Sequence, residues 1–295
     1  MRLDDERESS NFEVQSGRSG GFGGGGLGGG LGMLLPLIGN RFGCGGIVVV
    51  LIIMAVMGMN PLSLLGGGGD VAPTGQSGSA SRDPGKLTDI QHWSLKVLGS
   101  TERVWGQVFQ EAGQTYQPTV LSFYSRSGTS GCGAAQSAMG PFYCPNDRKV
   151  YLDTDFFNEL QQRFGAPGDF AQAYVIAHEV GHHVQDLEGT LGQVNKRQRA
   201  VNEAEGNALQ VRVELQADCY AGVWAKRTGL MEAGDLEEGM KAAQAIGDDT
   251  LQEAAGRRPV PESFTHGSSA ERMKWLRRGI DSGDPAQCDT FGTGV

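Results

Sequence analysis

Several features are scarce or absent in this sequence, and each absence argues against a class of protein. Its five cysteines include no Cys-x-x-Cys pair, which argues against a zinc site built from cysteines alone. The 34 acidic residues outnumber the 25 Lys and Arg, and without a basic cluster this balance argues against nucleic acid as a partner. The opening lacks the basic start and apolar core of a signal peptide and is instead acidic, with Asp4, Asp5, Glu6 and Glu8.

The composition divides the chain into four regions. Residues 1–42 are polar and then very rich in glycine, so we expect a disordered segment that buries too little apolar surface to fold. Residues 43–65 carry no charge and centre on Ile47–Met59, which predicts a transmembrane helix of about 20 residues. A buried core helix is the alternative. Residues 66–85 have a linker composition, and residues 86–295 form the predicted globular domain.

The flanks of the apolar segment indicate an orientation. Arg41 precedes it, and the next basic residue after it is Arg82, so the positive-inside bias places the N-terminus in the cytoplasm. We therefore expect a single-pass protein of the cell (inner) membrane that contacts the lipid bilayer through one helix. The downstream domain would be extracytoplasmic (periplasmic), where disulfides persist.

Four of the cysteines lie in the predicted domain and could form two disulfides. Three connectivities are open. A Cys132–Cys144 bond would close a short loop, and a Cys219–Cys288 bond would tie the tail to a helix. We take this pairing as the working hypothesis.

Hydrophobic periodicity predicts an α+β domain that is mainly helical, with a small sheet or hairpin. A strand is expected within 116–125. The turn Pro145–Arg148 predicts a hairpin between Phe142–Cys144 and Lys149–Leu152. The predicted helices are 88–113 (which Gly99–Thr101 could split), 156–164, a helix capped by Asp169 and ending near Leu187, 194–227, 235–251 and 268–280.

The chemical signal is the segment His178-Glu179-Val180-Gly181-His182 in the helix that ends near Leu187. Residues i and i+4 share a helix face, so His178 and His182 can bind one metal ion. Glu179 can then reach a metal-bound water as general base. A satisfied structural histidine pair is the alternative. However, three of the five histidines in the chain fall within six positions here, which favours a metal site.

A catalytic zinc needs a third protein ligand. The metzincin pattern requires a glycine and a histidine where this chain has Gln185 and Glu188. His183 points about 100° away from His182 on a helix and is expected to be a surface or outer histidine.

The remaining solution is a glutamate from a later helix. Of Glu203, Glu205 and Glu214, only Glu214 lies where that helix becomes apolar, so a buried carboxylate there needs a cation. Asp218, one turn later, could accept the second N–H of a ligating histidine. The alternative for Glu214 and Asp218 is a salt bridge to Arg212 or Lys226.

These motifs resemble those of the gluzincin metallopeptidases and, taken together, those of the neutral zinc metallopeptidase family (YpfJ-like proteins). The resemblance covers the predicted domain, and the N-terminal anchor also fits. It rests on Gly140–Pro145, Val150–Asp153, His178–Gln185, Glu214–Cys219 and Thr265–Ser268.

The resemblance implies a zincin-like protease domain with one Zn²⁺ per chain and a polypeptide substrate. It further implies that His266 could stabilise the oxyanion and that Arg272 matches the His-then-Arg segment of membrane-associated gluzincins. A loop histidine at a helix start is the alternative for His266. We therefore expect a membrane-anchored zinc endopeptidase with metal ligands His178, His182 and Glu214. An inactive zinc-binding membrane scaffold, or a zinc amidase acting on cell-wall peptides, are the alternatives.

Overall fold

The computed structural model describes residues 1–15, 80–136, 140–162 and 165–292. Seven strands and eight α-helices occur within these ranges. In chain order they are β1 (Phe12–Gln15), β2 (Ala80–Ser81), α1 (Asp89–Glu111), β3 (Val120–Tyr124), β4 (Ser127–Ser130), β5 (Gly133–Gln136), β6 (Phe142–Cys144), β7 (Lys149–Asp153), α2 (Asp155–Gln162), α3 (Asp169–Leu187), α4 (Thr190–Gln198), α5 (Glu203–Thr228), α6 (Asp235–Ala245), α7 (Asp248–Ala254) and α8 (Ser269–Ser282). The α+β, mainly helical fold class is confirmed.

Five strands form one sheet in the order β2-β1-β3-β7-β6. β1, β3 and β7 run parallel, and β2 and β6 are antiparallel to their neighbours. The predicted hairpin is confirmed, because Phe142 pairs with Tyr151 and Cys144 with Lys149. β4 and β5 form a separate two-stranded hairpin. β6 is an edge strand of the larger sheet and packs against α3, so this edge borders the helix that carries the histidine motif.

Helix α3 lies at the centre of the fold and packs against α1, α5 and α6. Most of its residues are buried, and a helix buried on most sides needs apolar residues at most positions. Gly181 lets α5 approach closely: a Cβ at this position would lie 3.0 Å from the carbonyl oxygen of Ala217 and 3.1 Å from its Cα. A side chain there would push apart the two helices that carry the predicted metal ligands.

Helix α8 packs along α5 through a second close approach. A Cβ on Gly279 would fall 2.0 Å from the carbonyl oxygen of Cys219, so only glycine fits at this crossing. Ser268 begins α8 with a capping box to Glu271, close to the predicted start at 268.

Two long predicted helices are each divided in the structure. The predicted helix 194–227 is wrong as one element, because α4 ends at Gln198 and α5 begins after Asn202, whose side chain accepts from the backbone N–H of Glu205. The predicted helix 235–251 is divided at Gly247, where a Cβ would lie 2.5 Å from the backbone nitrogen of Ser269. Capping and tertiary contact override the continuous apolar pattern here.

Two local predictions on other helices also fail. Helix α1 is not split at Gly99, since this residue is helical and makes room for the carbonyl oxygen of Arg7. Asp169 does not cap α3; Gly168 holds the cap position, and the Asp169 carboxylate accepts from the Met1 amino group at 2.8 Å.

Residues 1–15 belong to the folded domain, so the prediction of disorder over 1–42 is wrong for this stretch, and the domain is not confined to 86–295. β1 pairs with β3, and the Phe12 side chain is buried. Ser9 and Asn11 both donate to Glu102, at 2.6 and 2.8 Å. Composition alone could not show that these polar side chains find specific partners in α1 and the sheet. Residues 16–79, which hold most of the predicted linker 66–85, lie outside the described residues, whereas residues 80–85 are described and include β2.

The sheet also constrains how the chain could be placed in a membrane. Within the described ranges, no helix is both long and apolar enough to cross a bilayer. The predicted span 43–65 lies outside those ranges and stays a prediction. β1 precedes that span and β3 follows it, yet Phe12 pairs with Leu121 and Val14 with Phe123. A single crossing with residues 1–42 in the cytoplasm and the domain outside would place these paired strands on opposite sides of the bilayer.

We therefore propose that residues 1–15 and the domain share one compartment, and we expect equal accessibility at both. Asp5 and Arg258 are exposed. In a Cys44→Ser background, the Asp5→Cys and Arg258→Cys variants should respond alike to a membrane-impermeant maleimide in intact cells. Labelling of both after lysis is the control. If only Arg258→Cys is labelled before lysis, the result would contradict the shared compartment and support the single-pass orientation.

Both hypothesised disulfides are present. Cys132 bonds Cys144 and closes the segment that carries β5, and Cys219 on α5 bonds Cys288 in the C-terminal tail. The second bond fixes the tail beside the helix that carries Glu214. Two disulfides are typical of an extracytoplasmic domain.

Candidate metal centre

His178, His182 and Glu214 converge between α3 and α5. The Glu214 Oε2 lies 3.2 Å from His178 Nε2 and 3.6 Å from His182 Nε2. One ligand atom from each residue falls within 4.8 Å of the other two. The side chains are largely buried, and the burial of Glu214 is offset by the two imidazoles, which hold the pKa of its carboxyl well below the usual range against the effect of desolvation.

This geometry fits a zinc ion. Two ligand atoms about 2.1 Å from a tetrahedral zinc lie about 3.4 Å from each other, and both carboxylate–imidazole distances are close to that value. Two imidazole nitrogens and one carboxylate oxygen are a common catalytic donor set. Among the described residues, this group contains no fourth protein ligand. A tetrahedral ion held by these three residues would keep one coordination position for a non-protein ligand.

Glu179 lies beside this group but is not part of it. Its side chain is buried, with 8% exposure for the residue, and burial raises the pKa of its carboxyl. The two motif histidines and the backbone N–H of Tyr143 oppose that rise, because each favours the charged carboxylate. A carboxylate with a raised pKa next to an open metal position can both accept and release a proton.

Asp218 lies behind His178 and collects three donors. Its Oδ1 is 2.8 Å from His178 Nδ1, and it also accepts from the Tyr174 hydroxyl. Arg272 reaches both Asp218 oxygens, each at 2.9 Å. The salt bridge to Arg212 or Lys226, held open above, is replaced by this buried pair with Arg272 from α8. Burial would raise the pKa of Asp218, but Arg272 and His178 outweigh it and lower the pKa to about 2.

The protonation of His178 follows from the same contacts. Burial lowers the pKa of its imidazole, but Asp218 and Glu214 outweigh burial and raise it to about 9. The Asp218 carboxylate accepts from Nδ1, and Nε2 points toward Glu214 Oε2, 3.2 Å away.

Two glutamines complete the surroundings of the other ligands, and the sequence analysis did not assign either one. Gln185 Oε1 lies 2.8 Å from His182 Nδ1. Gln210 Nε2 donates to Glu214 Oε1 at 3.0 Å. The only sequence signal is helical spacing: Gln185 is three residues after His182, and Gln210 is four before Glu214.

His266 lies in the loop before α8, and Asp248 builds that loop. One Asp248 oxygen accepts from the backbone N–H groups of Thr265, His266 and Gly267, and the other lies 3.2 Å from His266 Nδ1. Burial lowers the pKa of His266, but Asp248 and the charge of Glu214 outweigh it and raise the pKa. The His266 side chain keeps 29% of its surface exposed.

His183 lies outside the ligand group, as expected. Of the two expected placements, at the surface or in the outer surroundings of the site, the surface one is wrong. It is 1% exposed, and its Nε2 donates to the carbonyl oxygen of Gln117 at 2.6 Å. Burial lowers the pKa of His183.

The chain is similar to known proteins over all or much of its length. An Escherichia coli (strain K12) protein, "Uncharacterized protein YpfJ", is 46% identical over 302 aligned positions that cover 100% of both chains. "Uncharacterized protein Rv2575" of Mycobacterium tuberculosis (strain H37Rv) is 45% identical over 206 positions, covering 65% of this chain and 67% of its own. No solved structure matches the chain. The family model described as "Putative neutral zinc metallopeptidase" matches residues 1–291, and the chain therefore belongs to that family.

Proposed function

We propose that this protein is a zinc-dependent endopeptidase that holds one zinc ion through His178, His182 and Glu214. The observation that supports it best is the position of Glu179: a buried carboxylate beside three ligands, oriented by the Tyr143 N–H, and not itself a ligand. A site that served only to stabilise the fold would not need this second carboxylate and would be closed by a fourth ligand.

The chemistry divides between the metal and the side chains. When bound, zinc supplies Lewis-acid polarisation and lowers the pKa of water toward neutrality. Glu179 takes a proton from the attacking water while the oxygen of that water bonds to the peptide carbonyl carbon. Glu179 then gives that proton to the amide nitrogen as the carbon–nitrogen bond breaks, and an amine and a carboxylic acid leave.

His266 is the proposed donor to the oxyanion that develops on the peptide carbonyl. Asp248 fixes its loop through three backbone contacts and raises the pKa of the imidazole, which favours the protonated form that can donate. Arg272 acts at a distance from the reacting atoms, through Asp218 and His178.

The edge strand β6 provides a surface for an extended polypeptide. Within the described part of the chain, β6 pairs with β7 on one side only, and Tyr143 in its centre reaches Glu179 through the main chain. An extended substrate added to this edge would run past the proposed general base. A cell-wall peptide cleaved by an amidase would meet the same catalytic groups. We favour a polypeptide because a strand that is paired on one side only, within the described residues, suits main-chain pairing.

The first test is metal content together with hydrolysis. We expect the purified protein to hold one zinc per chain and to cleave casein, and both should be lost after dialysis against a chelator. Added zinc should restore both. Stoichiometric zinc without any cleavage of casein or of a peptide library would favour the inactive scaffold. Absence of bound zinc after refilling would contradict the ligand assignment itself.

A further inference from the structure

The second motif histidine is held by a glutamine whose own amide is completely fixed. Gln185 is fully buried, and its Oε1 lies 2.8 Å from His182 Nδ1. Its Nε2 donates to the carbonyl oxygen of Val213 at 2.8 Å and to Gln216 Oε1 at 2.9 Å. Since those two partners are acceptors, the amide nitrogen must face them. The amide oxygen must therefore face His182.

This orientation determines the tautomer of His182. An amide oxygen only accepts, so His182 Nδ1 must carry a proton. In the neutral ring, which is the form that binds a metal, Nε2 then carries the lone pair. That nitrogen is the atom that lies 3.6 Å from Glu214 Oε2. Gln185 therefore favours the tautomer in which Nε2 of the neutral His182 ring is available to bind a metal.

The contacts continue beyond Gln185 into the C-terminal tail. Gln216 Nε2 donates to the carbonyl oxygen of Cys288 at 3.2 Å, and Cys288 is bonded to Cys219 on α5. His182, Gln185, Gln216 and the tail therefore form one buried chain of contacts. The other histidine is supported differently, by the carboxylate of Asp218 and through it by Arg272.

We propose that Gln185 is a positioning residue that orients His182 and fixes its tautomer for zinc, with Gln216 and the disulfide-bonded tail holding the amide in place. This role rests on the proposed function, because it assumes that His182 binds the metal. Outer contacts of this kind change metal affinity about 10- to 100-fold when they are removed.

The test is zinc affinity, measured by competition with a chromophoric chelator on folded protein. Gln185→Leu keeps the bulk but removes the acceptor, so we expect zinc to bind about 10- to 100-fold more weakly. Gln185→Glu keeps an oxygen for His182 Nδ1 while losing both donors to Val213 and Gln216. It should recover zinc affinity to within about threefold of the wild type, although the apo protein should melt earlier.

Gln252→Leu is the matched control. Gln252 is a buried glutamine that donates to Ser263 and accepts from the backbone of Val260, and it contacts none of the ligands. Its substitution should lower thermal stability and leave zinc affinity unchanged. If Gln185→Leu binds zinc as tightly as the wild type, Gln185 does not position His182. If Gln185→Glu binds zinc as weakly as Gln185→Leu, an acceptor for His182 Nδ1 is not what sets the affinity and the proposal is overturned. Failure of the wild type to bind zinc would instead count against the proposed function.

Discussion

Replacing Glu179 with Gln is expected to lower kcat for peptide hydrolysis about 10²- to 10⁴-fold while zinc stays bound. The amide has nearly the shape of the carboxylate but cannot accept the proton of the attacking water. Glu179 is not a member of the ligand group, so metal affinity should change little. Initial rates on a fluorogenic peptide and zinc content by atomic absorption would measure the two effects separately.

Glu188→Gln provides the control for this experiment. It makes the same chemical change just past the end of α3, where Glu188 accepts from the Tyr220 hydroxyl rather than facing the metal position. Its kcat should stay near the wild-type value. If Glu179→Gln hydrolyses peptide as fast as the wild type, another group is the base. If it loses zinc as well as activity, Glu179 contributes to binding the metal.

The convergence of the three proposed ligands was predictable because each leaves a local trace in the sequence. His178 and His182 are one helical turn apart, and the surrounding apolar periodicity correctly identifies the helix. Glu214 and Asp218 are polar residues in a stretch that otherwise faces inward, and burial of such groups requires partners. The ion pair between Asp218 and Arg272 could not be predicted in this way. Arg272 is 54 residues away in the sequence, and the close crossing of α5 and α8 at Gly279 brings it beside Asp218.

The features that sequence reasoning missed are nonlocal or chemically ordinary. Gln185 has no motif of its own, because a neutral amide is common on helices and its role arises from Val213 and Gln216 on another helix. β1 was missed because its four residues are flanked by polar and glycine-rich sequence, and its stability comes from pairing with a strand more than 100 positions later. Neither arrangement can be read from periodicity or composition.

Asp218 links the metal centre to the stability of the fold. The same carboxylate accepts from a proposed zinc ligand and neutralises a buried guanidinium, and both it and Arg272 are almost fully excluded from solvent. A single charge therefore serves two purposes. Substituting Asp218 alone mixes the two effects, and a second substitution is needed to separate them.

Asp218→Asn is expected to lower the free energy of unfolding of the apo protein by about 3–5 kcal/mol at pH 7, because Arg272 is left buried without its counter-ion. The pKa of Asp218 is about 2 in the folded protein against 3.8 for the free group. The stabilisation is therefore complete above about pH 4 and declines as the pH falls toward 2. Urea unfolding in the presence of a chelator, at pH 7 and pH 3, should show a smaller difference at the lower pH.

The double variant Asp218→Asn/Arg272→Met separates stability from metal binding. Removing both charges should recover most of the lost stability, since a buried ion pair can be replaced by neutral groups at little cost. Zinc affinity should stay about 10- to 100-fold below wild type, because an amide is a weaker support for His178 than a carboxylate. If the double variant is as unstable as the single one, the cost lies in lost hydrogen bonds rather than in the unpaired Arg272. If it binds zinc like the wild type, Asp218 stabilises the fold without tuning the metal ligand.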